Sequence, residues 1–226
     1  MTEEYLTDDE QLEAVKQLAV EYAPWLIGGV LVGAAVFFGM RYYQSYNNEQ
    51  AFKAAAQFSA MTAALQTNDR AKSRQIADGL IKDHAGSPYA DQAQLTLARL
   101  DVDEGRLDKA AAPLTQVMSE SKDAELRQIA RLRLARVLIG QGKPEEAIKT
   151  LSEPPSAAFG ASYHEVRGDA YYAKKDIPAA RTEYQAALAA ADAGGINPAL
   201  LELKIQDLGA SPAPVASLDT LNKAKP

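Results

Sequence analysis

The chain has 226 residues, with 24 basic and 30 acidic side chains, two histidines and no cysteine. Residues 1–23 hold seven acidic residues against Lys16 alone, so they carry the whole net charge of -6 and the remainder is balanced. A neutral body without a basic block argues against nucleic-acid binding, and the missing thiols remove disulfides, thiol catalysis and thiolate metal sites.

Thr7-Asp8-Asp9-Glu10 has the form of a capping box, with Leu12, Val15, Leu18, Ala19 and Tyr22 following at helical spacing. Residues 8–22 are expected to form a short amphipathic helix with an acidic exposed side. It serves either as a solvated lead-in or as a docking helix for a basic partner surface.

Between Glu21 and Arg41 no residue is charged. As a helix this run reaches roughly 28 Å, close to the hydrocarbon thickness of a bilayer. Leu26, Ile27, Val30, Leu31, Val32, Val36, Phe37 and Phe38 favour insertion, and Trp25, Tyr42 and Tyr43 stand where interfacial aromatics belong. The segment before the run is acidic, and Met40-Arg41-Tyr42-Tyr43 is a poor cleavage site. Residues 24–43 are therefore expected to be a retained transmembrane anchor rather than a signal peptide. Gly29 and Gly33, with Gly28 adjacent, put small residues on one face of it. They either only weaken the helix or contact a neighbouring membrane helix.

No Gly or Pro separates the span from Ala51, Phe52, Ala55, Phe58, Met61 and Leu65, so the membrane helix is expected to run on into the body. From there the pattern is helix, turn, helix. Thr67-Asn68-Asp69, Ala85-Gly86-Ser87-Pro88, Gly105, Gly142 and Gly194-Gly195 punctuate it, and no alternation typical of a strand is present. The body is predicted to be all-α.

Three segments, 97–114, 134–151 and 167–184, align. Ala110, Ala147 and Ala180 share one small site, Ala98, Ala135 and Gly168 another, and Leu114, Leu151 and Tyr184 a larger one. Small residues at the first two sites let the helices of a hairpin approach closely. This is the tetratricopeptide repeat (TPR) pattern. The first pair, 51–83, fits loosely, with Ala77 assigned to the small site. Asn197-Pro198 opens a last helix to about Leu208 that caps the stack, and residues 210–226 lack periodicity and are expected to be disordered. The predicted architecture is one N-terminal transmembrane helix, then a TPR-like α-solenoid of about four hairpins over residues 44–209 with its capping helix.

Catalytic constellations are not found. His84 and His164 fall on different hairpins without metal-ligand spacing, and Glu145, Glu146, Asp101 and Asp103 are expected on solvated helix faces or helix starts. No P-loop, G-x-G-x-x-G or G-x-S-x-G motif occurs. No enzyme activity, cofactor or metal is expected. In the repeat register the concave face is lined by Gln92, Leu95, Arg99 and Val102, then Ile129, Leu132, Arg136 and Ile139, then Ser162, Glu165, Asp169 and Tyr172. Leu95, Arg99, Leu132, Arg136, Ile139 and Tyr172 are the candidate binding residues. The Lys and Asn set that grips a C-terminal carboxylate is missing, and an apolar face with two arginines suits extended apolar segments or a partner's helix. Equally, several of these side chains could pack against the neighbouring helix or the cap.

The acidic tail with Asp9-Glu10-Gln11-Leu12-Glu13-Ala14-Val15-Lys16, one span ending in Arg41-Tyr42-Tyr43, and repeats containing Leu132 to Ile139 resemble the ancillary SecYEG translocon subunit family. The resemblance covers nearly the whole chain, and the 210–226 tail departs from the family's shorter ends. It implies a bacterial inner-membrane, single-pass protein with a cytoplasmic N-terminus and a periplasmic TPR body. It also implies contact with the SecYEG translocon, a membrane-anchored periplasmic prolyl isomerase, and unfolded or emerging secreted polypeptides, as an adaptor and chaperone. It carries no catalytic residues. A structural TPR scaffold for another envelope complex, without general client binding, is the alternative. Flanking charge, with Lys16 before the span and Arg41 and Lys53 after it, leans slightly toward a cytoplasmic body and opposes the topology implied by the resemblance.

Overall fold

The computed structural model describes residues 8–153, 155–190 and 196–209. Its helices are α1 (Asp8–Gln66), α2 (Arg70–Asp83), α3 (Pro88–Asp103), α4 (Leu107–Glu120), α5 (Ala124–Gly140), α6 (Pro144–Thr150), α7 (Gly160–Ala173), α8 (Ile177–Ala189) and α9 (Pro198–Asp207). A 3-10 turn, Ala157–Phe159, precedes α7, and no strand occurs among the described residues. The chain divides into two units, Met1–Lys53 and Ala54–Pro226.

In the first unit, α1 is long and apolar enough to cross a membrane, and none of its most apolar stretch is buried. Val30, Leu31, Phe37 and Phe38 are exposed, an arrangement that is costly in water and favourable in lipid. Residues 8–22 are not a separate short helix, because α1 continues through them with Pro24 inside. A proline so placed costs one backbone hydrogen bond, a cost that long apolar helices in membranes tolerate. The capping-box residue Thr7 lies outside the described residues, as do Gly194, Gly195 and the 210–226 segment. Past the apolar run, Lys53 pairs with Glu49 at 2.7 Å, one helical turn apart.

The second unit is a row of four helical hairpins: the part of α1 from Ala54 with α2, then α3–α4, α5–α6 and α7–α8. Each hairpin turns through the same slot. Asn68, Gly105, Gly142 and Lys175 all have positive φ, between 59° and 74°. At each, the N–H of the following residue reaches back five positions: Asp69 to Ala64 O, Arg106 to Asp101 O, Lys143 to Leu138 O and Asp176 to Tyr171 O, at 2.7–2.9 Å. This is the Schellman closure, in which a left-handed residue satisfies the last carbonyls of a helix. Glycine enters that conformation freely, and asparagine tolerates it better than most.

The repeated turn sets the register for the first hairpin. Five residues past each turn residue come Ser73, Ala110, Ala147 and Ala180, all completely buried. The small site of the first hairpin is therefore Ser73 and not Ala77, which lies one helical turn further on. The shift is hidden in the sequence because a hydroxyl replaces the methyl at Ser73 and Met61 stands where Ala98 and Ala135 stand later.

The buried side chains form a row of three clusters. Met61, Ala77, Leu80 and Ala93 hold the first hairpin. Leu114, Leu134, Leu151 and Val166 belong to the large middle cluster. Ala180, Tyr184, Ala187 and Leu201 close the end, so α9 caps the stack.

Asp101 is a second departure from expectation. It is buried near the end of α3, where it accepts hydrogen bonds from Arg106 Nε and Nη2 at 3.1 and 2.8 Å and pairs with Arg74 Nη2 at 2.9 Å. Glu104 also pairs with Arg74 and Arg106, so one cluster ties α2 to the α3–α4 turn. Asp103, Glu145 and Glu146 are exposed, as expected. Asp101→Asn keeps the shape and removes the charge. It should lower stability by about 1–2 kcal/mol, discounting for the half-exposed arginines, with less effect at high salt. Urea unfolding at two salt concentrations checks this.

Candidate binding cleft

Residues four positions apart on a helix share a face, and in a helical row the equivalent positions of successive hairpins line up. The face carrying Arg99 of α3 and Arg136 of α5 opens into a cleft of about 380 Å³. Arg99, Arg133 and Arg136 stand on its walls, and Ala98, Val102, Leu107, Leu114 and Val137 make the apolar part of the lining. Val102 keeps 42% exposure there. A second cleft of about 360 Å³ shares Arg99 and Arg133 with the first and adds Thr62, Leu65, Leu95, Thr96 and Asp103, among others.

The lining of the first cleft contains three guanidinium groups and no carboxylate. At its edges Arg99 Nε is 3.9 Å from Asp103 and Arg136 Nη2 is 3.8 Å from Glu165, distances too long for strong hydrogen bonds. Arg133 has no carboxylate within 4.0 Å among the described residues. Partial desolvation against the cleft wall, followed by the charges of Arg99 and Arg136, pulls its pKa below the ordinary arginine value, although the residue itself is exposed. The field of the cleft is unbalanced and positive.

The last hairpin inverts this pattern. The positions equivalent to Leu132 and Arg136 are Glu165 and Asp169, and Lys204 of α9 reaches both, at 2.9 and 2.8 Å. Tyr184 donates to Asp169 at 2.8 Å, and the Lys204 ammonium lies 5.4 Å from the Tyr184 ring centroid. Burial and the Asp169 charge push the Tyr184 hydroxyl upward. Lys204 is pulled down by burial, but its hydrogen bonds to Asp169 and Glu165 outweigh this and leave it raised. The capping helix thus covers the acidic end of the face and leaves the cationic middle open.

The six residues expected to bind are distributed unevenly. Arg99 and Arg136 are exposed and share the first cleft. Leu95 is only 5% exposed and lines the second cleft. Leu132, also 5% exposed, lies in the core, and Ile139 is half-buried against it. Tyr172 is 55% exposed on α7, outside both clefts. Arg133 was not among the expected residues. Its signal was present in the run Arg131-Leu132-Arg133-Leu134-Ala135-Arg136, but strict groove spacing passes over it. In the span, an added Cβ at Gly29 or Gly33 would meet nothing within 4 Å.

No group of three or more possible metal ligands occurs among the described residues. His164 is not alone, however. Its Nδ1 is 2.8 Å from Glu183, which Arg167 also approaches at 3.4 Å. This contact between α7 and α8 spans 19 positions and is invisible to local spacing.

Comparison with known proteins gives a consistent result. A family model described as a tetratricopeptide repeat-like domain matches residues 16–210. A protein of Escherichia coli (strain K12) called "Ancillary SecYEG translocon subunit" is 30% identical over 207 residues, covering 90% of this chain and 98% of the relative. Proteins of the same name from Haemophilus influenzae and Neisseria gonorrhoeae are 27% and 28% identical. They cover 80% and 90% of this chain, and 89% and 98% of the relatives. No solved structure matches.

Proposed function

The chain belongs to the tetratricopeptide repeat-like family of ancillary SecYEG translocon subunits, and from that premise we propose that it is a non-enzymatic adaptor tethered to the bacterial inner membrane. Its α1 anchors it in a single pass, with the N-terminus in the cytoplasm and the repeat body in the periplasm. There the body contacts the SecYEG translocon, a membrane-anchored prolyl isomerase and secreted chains as they emerge, acting as a chaperone. The observation that carries this reading is the match to translocon subunits along nearly their whole length, span included. The stack with its open cleft is the kind of surface such an adaptor needs. Gly29 and Gly33 then offer a close-packing face to a neighbouring membrane helix.

Topology is the sharpest test, because flanking charge leans the other way. The chain has no cysteine, so Ser119→Cys, at an exposed site on α4, gives one reporter. An impermeant maleimide should label it while the inner membrane is intact. Labelling only after that membrane is broken would overturn the periplasmic reading. A photo-crosslinker at exposed Val102 should then capture translocon subunits and a broad set of secreted chains. Capture of one fixed partner alone would indicate a scaffold.

A further inference from the structure

We propose that the cleft formed by Arg99, Arg133 and Arg136 binds an acidic segment of a partner polypeptide, seating an aliphatic side chain on Val102, Leu107, Leu114 and Val137 and a neighbouring carboxylate on Arg133. This rests on the reading of the stack as a peptide-binding adaptor and specifies the chemistry of what it takes.

Two observations lead to that occupant. First, three guanidinium groups converge on one apolar floor with no carboxylate in the lining, and the two at the sides have only distant acidic neighbours. Guanidinium groups repel one another and are poorly neutralised by isolated water, whereas a planar carboxylate accepts two parallel hydrogen bonds from one of them. Second, the same face already takes a segment of opposite charge at its other end. There α9 brings Lys204 onto Glu165 and Asp169 while Leu201 is buried among Ala180, Tyr184 and Ala187. That docked helix combines one charge pair with one apolar anchor. The middle of the face offers the same combination with the sign reversed, and no described helix is docked on it.

Chemistry narrows the occupant further. A basic or neutral apolar segment would desolvate Arg133 without a counter-charge and leave Arg99 and Arg136 with only their distant carboxylates, which disfavours it. A free inorganic anion would satisfy the arginines but not the apolar floor, which stays wet unless a side chain covers it. An acidic segment with an interleaved aliphatic residue meets both requirements.

The test uses the full chain in detergent or nanodiscs and a short fluorescent peptide of alternating Leu and Glu, followed by anisotropy. Versions with Gln for Glu and with Ser for Leu are the comparison probes. At low salt the Leu/Glu peptide should bind about tenfold or more tightly than either variant, and the advantage over Gln should fall at about 0.5 M salt. Arg133→Gln should remove that advantage while leaving thermal unfolding unchanged or slightly raised, since Arg133 has no carboxylate partner to lose among the described residues. Equal binding of the Glu and Gln peptides, or of the Leu and Ser peptides, would overturn the proposal. So would a loss of stability in Arg133→Gln, which would make the arginine structural. A change in oligomeric state on Arg133→Gln would assign the cleft to a second copy of the chain and overturn it too. If translocon crosslinking persists while peptide binding fails, the adaptor reading stands and only the cleft assignment falls.

Discussion

Gly168→Leu should unfold the last hairpin at markedly lower temperature than the parent chain. Gly168 sits at the small site of α7, facing Tyr184 of α8. A Cβ added there would lie 2.4 Å from the Tyr184 ring, inside any tolerable contact. The two preceding hairpins place Ala98 or Ala135 opposite Leu114 or Leu151. Here a glycine has made room for an aromatic, so total volume is conserved across the pair. The ring cannot retreat easily, because its hydroxyl is held by Asp169 at 2.8 Å. Overpacking at such a site costs about 3 kcal/mol for leucine. For Gly168→Ala the cost is partly offset by about 1 kcal/mol of improved helix propensity. Gly168→Ala combined with Tyr184→Leu should recover much of the loss, giving a positive coupling in a double-mutant cycle. Gly79→Ala, in α2, supplies the contrast. Nothing lies within 4 Å of its added Cβ, so it should be neutral or stabilising by about 1 kcal/mol. Thermal unfolding followed by circular dichroism reads all four. A Gly168→Leu variant as stable as its parent would show that the α7–α8 contact is loose.

Leu201→Ala should release the capping helix. Leu201 is fully buried and packs with Ala180, Tyr184 and Ala187, while Leu200 and Leu203 on the same helix are exposed. Truncating it removes about 3 kcal/mol of burial from a single anchor point. The helix has ten residues, too few to persist alone in water, so losing the anchor should melt it. Hydrogen exchange should then rise across α9 and along α8, falling off toward α5, because each hairpin is supported mainly by its neighbours. Exchange that rises equally in every hairpin would contradict a nearest-neighbour stack. The charge contact gives a pH signature. The pKa of Lys204 is raised in the folded state, so its contribution is fully present below the ordinary lysine value of about 10.4. It is lost as pH climbs through the raised value. Lys204→Met should abolish that alkaline step in α9 exchange while leaving the Leu201 anchor in place.

Gly168 and Tyr184 can be named from the sequence but not explained by it, whereas the last helix can be placed from Asn197-Pro198 without its Leu201 anchor being singled out. The Gly168 and Tyr184 pair was legible as a register match, since both fall in slots shared with the preceding hairpins. That the two side chains trade volume required the distance between them. The small site of the first hairpin lies one turn from Ala77, where the methyl pattern points, because Ser73 carries a hydroxyl at a site otherwise marked by alanine. Asp101 looked like a surface carboxylate because nothing local announces Arg74, which lies 27 positions earlier on another helix. In the cleft, Arg99 and Arg136 follow from their 37-residue separation, while Arg133 does not, since its equivalents elsewhere are not arginines.

The sequence by itself determined the all-helical repeat, the apolar span and three of the four hairpin turns, at Asn68, Gly105 and Gly142, while the turn at Lys175 came only from the structure. These depend on properties local to a few residues: hydrophobic period, uninterrupted apolar length and the ability to hold a left-handed backbone. Which residues of the concave face are floor, which are free and which are covered was decided only by tertiary structure. Leu132 is sunk into the core, Lys204 covers the acidic end, and three arginines from two helices share one opening. The physical reason is that burial and charge balance are sums over neighbours in space. A helical stack brings those neighbours together from positions about 37 residues apart, where the repeat spacing tells which positions are equivalent but not which side chains are buried, paired or covered.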